Sequence, residues 1–243
     1  MTIGTSGVIE PAAYWRLAVI FDAPRGNRHE LAAGLVEADG AMRAAARGGA
    51  IRFGVAERFM NDMLNQGQDR AGWRRNDGAV EVTVGASRSS ELPVIAAALR
   101  QVLQPHIDLG STEVMAGPSY FMVPPRLGAC VLSLSFKRDP AKTKQDFSRW
   151  WYYQHSAIAI PMLGSRLLAY DQVHCDDVLT AAVSSAFGVP AHYYDAYDNL
   201  TWANLESFLE PRSDPEGRKR LSEDSIGQID NSSRRHAILK VLG

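Results

Sequence analysis

Residues 129–137 read ACVLSLSFK, residues 143–155 read TKQDFSRWWYYQH and residues 166–174 read RLLAYDQVH. In the first stretch Cys130, Leu132, Leu134 and Phe136 alternate with Val131, Ser133 and Ser135. That period of two is a strand, with the apolar set packed on helices and the smaller set facing the other way. In the second stretch Thr143 is a good N-cap, and Phe147, Trp151 and His155 follow at four-residue spacing, on one face of a helix reaching about Ile160. The third stretch is again a strand, with Leu168, Tyr170, Gln172 and His174 on one side.

Working outward, a loop to Pro190 is expected to lead into a strand from Ala191 to about Asp198, a helix from Thr201 to Leu209 and a last strand from Arg234 to Val241. The same order stands upstream. A strand runs over Tyr14–Phe21, an alanine-rich helix over Arg28–Arg47 and a strand over Ala50–Phe59. A polar loop through Trp73, a strand over Ala79–Ala86, a helix over Glu91–Gln104 capped by Ser89 or Ser90, and a strand over Ser111–Val123 complete it. Pro124–Gly128 reads as a linker. Both halves, 1–125 and 126–243, therefore read βαββαβ, the ferredoxin-like split arrangement of an α+β fold. One such sheet leaves a face bare; two can cover each other.

Residues 129–243 resemble an EthD domain of the dimeric α+β barrel superfamily. Three patches carry the resemblance. They are Phe136-Lys-Arg138-Asp-Pro140 with Phe147-x3-Trp151-x3-His155, then Leu168-Ala-Tyr170-x3-His174, and then Asp195, the Asp224-x5-Asp230 pair and the last strand. The first half shares the element order but lacks the Phe/Trp/His helix. In that superfamily two sheets from two chains close into a barrel, so the resemblance implies that this chain folds as an intramolecular pseudo-dimer. It also implies a small-molecule pocket in each lobe. The members' reactions differ: muconolactone-type isomerisation, polyketide cyclisation, cofactor-independent oxygenation, and chemistry on ring-opened lignin aromatics.

Composition bounds the partners. Twenty-six basic and 27 acidic residues give a net charge of −1, which offers no broad attraction to nucleic acid or anionic membrane. No stretch approaches the ~18 apolar residues of a membrane helix. Residues 1–11 lack a basic region followed by an apolar run, so a cytoplasmic protein with free Cys130 and Cys175 is expected. Neither cysteine has metal-ligand spacing, and no Gly-rich phosphate loop follows a strand, so no cofactor or metal is expected. His174-Cys175-Asp176-Asp177 looks like a metal cluster, but neighbours on a strand point to opposite faces. The expected partner is a small carboxylate substrate; a homodimer is left open.

His155 is the first candidate for proton transfer, because an imidazole titrates near neutrality. His192 is the second, from a stretch (residues 192–197) dense in His, Tyr and Asp where His192, Tyr194 and Ala196 should share a face. Tyr170 could donate to a carbonyl or enolate oxygen. Substrate-binding candidates are Arg16, Trp151, Ser133, Tyr120 and Tyr194. Arg16 faces away from the apolar set of its strand, as do Arg52 and Arg58 of theirs, and such an arginine could hold a carboxylate. Glu216–Arg220 and Arg234-Arg235 read as solvated faces, and Asp224 and Asp230 as caps. The expected activity is cofactor-independent double-bond or cis–trans isomerisation of a ring-opened unsaturated acid. Methyl-ester hydrolysis on such a dienoate, polyketide-type cyclisation and cofactor-free oxygenation are the alternatives. A non-catalytic small-molecule-binding barrel is the alternative of another class.

Overall fold

In the computed structural model, residues 8–56, 74–210 and 215–243 are described. Arg58, Phe59 and Trp73 lie outside them. The first half comprises β1 (Tyr14–Asp22), α1 (Arg28–Glu37), α2 (Asp39–Ala45), β2 (Ala50–Ala56), β3 (Arg74–Arg75), β4 (Gly78–Gly85), α3 (Leu92–Leu103) and β5 (Asp108–Val123). The second comprises β6 (Cys130–Arg138), α4 (Lys144–Arg149), a π-helical stretch (Trp150–His155), α5 (Ser156–Leu163) and β7 (Leu167–His174). It continues with α6 (Asp177–Phe187), β8 (Ala196–Trp202), α7 (Leu205–Leu209), α8 (Pro215–Asp224) and β9 (Ile229–Val241).

The strand order is β2-β4-β1-β5-β7-β8-β6-β9, and β2 also pairs with β9. Eight antiparallel strands thus close into a barrel, with the two-residue β3 added in parallel on β9. Each half keeps the ferredoxin-like order, in which its fourth strand lies beside its first. The two seams are equivalent. At one, Ser119 and Tyr120 of β5 face Val173 and Gln172 of β7; at the other, Gly54 and Val55 of β2 face Val241 and Lys240 of β9. The fourth strand of each half therefore pairs with the second strand of the other, as two chains do in a dimeric barrel. At the first seam the chains come so close that a Cβ on Gly117 would lie 2.0 Å from the carbonyl oxygen of His174. Only glycine fits there.

Alternation divides the side chains between barrel interior and helix layer. Leu17, Val19 and Phe21 of β1 join Val80, Val82 and Val84 of β4 in a core under α1, α2 and α3. Ala18, Ile20, Met115, Val131, Val173, Ala237 and Leu239 meet inside the barrel. On the outer face of the second half, Phe136, Phe147, Trp150 and Trp151 form one cluster, and Tyr170, Leu200, Trp202 and Phe208 another.

Several elements differ from the sequence reading: the expected Arg28–Arg47 helix is split into α1 and α2, α8 was not expected, and β9 begins at Ile229 rather than Arg234. The expected loop after His174 contains α6. Asp176 caps it by accepting from Leu179 N, and Gly188 ends it at φ +78°. α6 does not cover its own half. Val183 and Phe187 are fully buried in the core of the first half, Ser184 Oγ donates to Val114 O, and Arg100 of α3 donates to Phe187 O. β8 begins at Ala196 rather than Ala191 and runs through Trp202, where a helix was expected; Asn204 caps the short α7. Finally, α3 starts after a 3-10 turn over Ala86–Glu91, so neither Ser89 nor Ser90 caps it. By contrast, Thr143 caps α4 as expected, accepting from Asp146 N.

Candidate active site

Inside the barrel, polar side chains gather at both ends of the apolar centre. At one end Arg16 Nη1 lies 2.8 Å from Asp171 Oδ2 and 3.7 Å from Glu81. Arg52 donates to Glu81 through Nε at 3.0 Å and Nη2 at 2.6 Å. Tyr197 donates to the other Glu81 oxygen at 2.5 Å and accepts from Ser133 at 3.0 Å. Burial alone would raise the Glu81 carboxyl, but the Arg52 and Arg16 guanidiniums hold it below the usual carboxylate range. Two arginines balance two carboxylates, so Arg16 is already matched by Asp171. The adjoining space lined by Arg52, Glu81, Val131 and Leu239 has room for roughly one water molecule.

At the other end Arg235, fully buried, lies 3.2 Å from Glu113 and 3.2 Å from Asp22. Tyr194 donates to Glu113 at 2.8 Å, and Arg74 reaches both. Burial and the Glu113 charge push the Tyr194 phenol up to about 12. His192 Nδ1 sits 3.7 Å from Glu113 on a half-exposed ring at the barrel mouth. Because β8 starts only after Asp195, Tyr194 and Tyr197 both turn inward, while His192 lies on the preceding loop. Asp195 binds Arg138, through its backbone N and its guanidinium.

The second polar region lies between the second half's sheet and the helix over residues 144–163. Its helical ladder slips into π geometry at Trp150–His155, a distortion that recurs at functional sites. Trp150 and Trp151 both turn inward there. The Trp151 carbonyl accepts from Gln172 Nε2 at 3.0 Å, and the same amide donates to Tyr170 Oη at 2.9 Å. Gln172 Oε1 lies 3.4 Å from His174 Nε2. The His174 ring sits 4.8 Å from the Trp151 ring and 4.9 Å from that of Tyr120, which arrives from the first half across the β5–β7 seam. Burial pushes the His174 imidazole down to about 3, so it is neutral. Burial also lifts the Tyr170 phenol well above its usual range.

His155 closes this region at the surface. Its Nδ1 lies 2.7 Å from Asp224 Oδ2, and Trp150 Nε1 donates to the other oxygen of that carboxylate at 3.3 Å. The imidazole is 14% exposed, whereas Tyr170 is fully buried. The Asp224 charge reaches Tyr170, which lies on the sheet side of the same helix–sheet layer. Asp198, on β8 opposite Gln172, projects into the same layer, and its Oδ1 is buried with no hydrogen-bond partner. Burial, with Asp171 nearby, lifts its carboxyl well above the usual range.

The structure thus brings His155, Trp151, Tyr170 and Tyr120 into one layer. It puts Arg16 and Ser133 at one end of the barrel interior, and Tyr194 and His192 at the other. Sequence reading passed over Gln172, His174 and Asp198 and assigned Asp224 to capping; the face shared by Tyr170, Gln172 and His174 was the available signal. Asp230 does act locally, accepting from Ser232. Among the described residues no group of three or more His, Cys, Asp or Glu side chains is placed to hold a metal, and no helix is long and apolar enough to cross a membrane.

Eight antiparallel strands closed across two equivalent seams, with helices outside, define a dimeric α+β barrel built from one chain. The family model of the EthD domain matches residues 139–232, which contain His155, Tyr170 and Asp224. No curated protein matches the sequence. Several solved structures match nearly the full length. A provisionally assigned monooxygenase from Fusobacterium nucleatum is 9% identical, with 97% of this chain and 94% of that one covered and a TM-score of 0.56. A chlorite dismutase from Candidatus Nitrospira defluvii is 10% identical, with 96% and 92% covered and a TM-score of 0.54. An anthrone oxidase-like protein is 9% identical, with 96% and 93% covered and a TM-score of 0.54. At such identities the likeness establishes the fold, and the similar proteins bear enzyme names.

Proposed function

We propose that this protein is an enzyme using cofactor-independent acid–base chemistry at the helix–sheet layer of its second half. The reaction is double-bond or cis–trans isomerisation of a small unsaturated carboxylic acid from aromatic ring opening. The observation that carries this reading is the 2.7 Å contact between His155 Nδ1 and Asp224 Oδ2, with Tyr170 within reach of the Asp224 charge. A carboxylate on Nδ1 fixes the ring and leaves Nε2 as the nitrogen that exchanges a proton with substrate. His155 would remove a proton from the carbon conjugated to the acid and return it further along the chain. Tyr170, kept protonated by burial, would donate to the dienolate oxygen in between.

A second reading shares the first step. Deprotonation of an aromatic ketone or phenol gives a carbanion that can react with dioxygen, and the names of the similar monooxygenase and anthrone oxidase-like structures favour it. The aromatic walls formed by Trp151, Tyr120 and Tyr152 around His174 suit such a ring. Methyl-ester hydrolysis would use the same histidine to activate water. Paired ionisable groups at His155 and Asp224 speak against a purely binding barrel.

The test is NMR of the protein with ring-cleavage products of methoxylated aromatics and with anthrone-type phenols. A migrated or inverted double bond supports isomerisation, methanol release the esterase, and oxygen uptake the second reading. Unchanged substrates throughout would overturn the enzymatic reading for these classes. His155→Ala should lower kcat by about 10²-fold or more, and Asp224→Asn should lower kcat with little change in KM.

A further inference from the structure

The acid–base reading leaves one buried group unused. Asp198 is 5% exposed, and its Oδ1 finds no hydrogen-bond partner, although buried polar atoms nearly always have one. It lies opposite Gln172 and one diagonal step from Tyr170, which is opposite Leu200. Diagonal neighbours on one face of paired strands are close enough for side chains to converge. Alternation along β8 confirms the face: Tyr197, Asn199 and Thr201 belong to the barrel interior, whereas Leu200 and Trp202 pack in the helix layer beside Tyr170.

We propose that Asp198 and Tyr170 together form an oxyanion-binding pair, which makes the ligand class of this site a conjugated enolate or phenolate whose charged oxygen sits between the two side chains. The inference rests on the acid–base reading of the same site and assigns it a second donor.

The surrounding charges suit the role. The charges of Asp171 and Arg234 reach Asp198, and that of Asp224 reaches Tyr170. Burial and Asp171 favour the protonated carboxyl over the Arg234 attraction, and that is the form able to donate. A neutral acid beside a neutral phenol offers two preorganised donors to an oxygen as negative charge develops on it, in a site with little water to compete. An ionised Asp198 would instead repel that oxygen. The unpartnered Oδ1 is then the donor position that substrate fills. The π-helical stretch above it carries both Trp151 and His155, so one shift of that segment exposes pair and base together.

The test uses 4-nitrophenol, whose phenolate absorbs distinctly, as a ligand that needs no proton removed. Titrations at a pH where it is mostly ionised should show saturable binding to the wild-type chain. Tyr170→Phe and Asp198→Leu should each weaken it by about tenfold or more, the scale of a charge-assisted hydrogen bond. His155→Ala should bind within a few-fold of wild type while losing turnover. Asp198→Leu should also unfold at a higher temperature, because it replaces a buried unpartnered polar group with an apolar side chain of the same branching; Asp198→Asn, which keeps the volume, provides the comparison should Leu fail to fold. No saturable binding by the wild type, or equal affinity in wild type, Tyr170→Phe and Asp198→Leu, overturns the pair. Phenolate binding that follows the pair while every NMR substrate stays unchanged would overturn the acid–base reading alone.

Discussion

Glu81 offers a direct measure of how the barrel interior is held. Its two oxygens receive Nε and Nη2 of Arg52, the Tyr197 hydroxyl at 2.5 Å and the field of Arg16 at 3.7 Å. Glu81→Gln keeps the volume and removes the charge. One carboxylate, Asp171, then faces two buried or half-buried arginines. Breaking a buried pair in this way costs about 3–5 kcal/mol, because the stranded charge stays desolvated. For a chain of this size each kcal/mol is worth about 2–4 °C, so Tm should fall by about 10 °C. Glu81→Leu alone strands the same charge, whereas the double variant Glu81→Leu with Arg52→Met leaves Arg16 and Asp171 as a balanced pair at 2.8 Å, and an apolar replacement of a buried ion pair is close to neutral. It should recover most of the loss, giving a coupling of about 2 kcal/mol or more in urea or thermal unfolding. A single-variant cost under about 1 kcal/mol, or a double variant equal to the sum of its parts, would refute this account. Such a result would free Arg16 and Arg52 for a ligand.

Acid should act through the same groups. Glu81 and Glu113 are held below the ordinary range despite their burial, by Arg52 and Arg16 in one case and by Arg235, Tyr194 and Arg74 in the other. Their contribution is present above the unfolded value of about 4.3 and is lost as pH falls through the lower folded values. The urea midpoint should therefore drop between about pH 5 and pH 3; a flat midpoint there contradicts the assignment. Asp198 works in the opposite sense, since its raised carboxyl costs stability as pH climbs above about 3.9. Phe187→Ala should cost about 3–5 kcal/mol and speed amide exchange in β1, β4 and α3 of the first half. Exchange confined to the second half would show that α6 is not part of the first core.

Much of the architecture was legible because it depends on period. Leu17, Val19 and Phe21, and then Cys130, Leu132, Leu134 and Phe136, alternate cleanly, and the pairing of the two βαββαβ units follows from their order. α6 was hidden by its own caps. Asp176 and Asp177 read as part of a ligand-like run, and Gly188 as loop, when together they mark a helix start and stop. β8 was placed five residues early because residues 192–195 are as strand-like as those that follow, and composition cannot say where hydrogen bonding begins. At the site, the four-residue spacing of Phe147, Trp151 and His155 identified the right helix. The π stretch, which turns Trp150 inward as well, leaves no mark in that spacing. The Asp224 partner of His155 lies 69 residues away, and Asp171, which neutralises Arg16, lies on the other half. Such contacts are products of closure and have no local signature.

The β2–β9 seam also sets a timetable for synthesis. β2 ends at Ala56, yet its partners Leu239, Lys240 and Val241 are among the last residues made. At roughly 5–20 residues per second the edge of β2 waits about 10–40 s for its neighbour. For part of that interval the first half also lacks Val183 and Phe187. The nascent chain therefore presents an unpaired strand edge and an uncovered apolar face at once, the two features that recruit chaperones or other copies of the same chain. In separate-chain barrels each subunit can finish its own sheet before meeting a partner. Here both seams belong to one polypeptide, and a message truncated before β9 yields a barrel open along both β2 and β6.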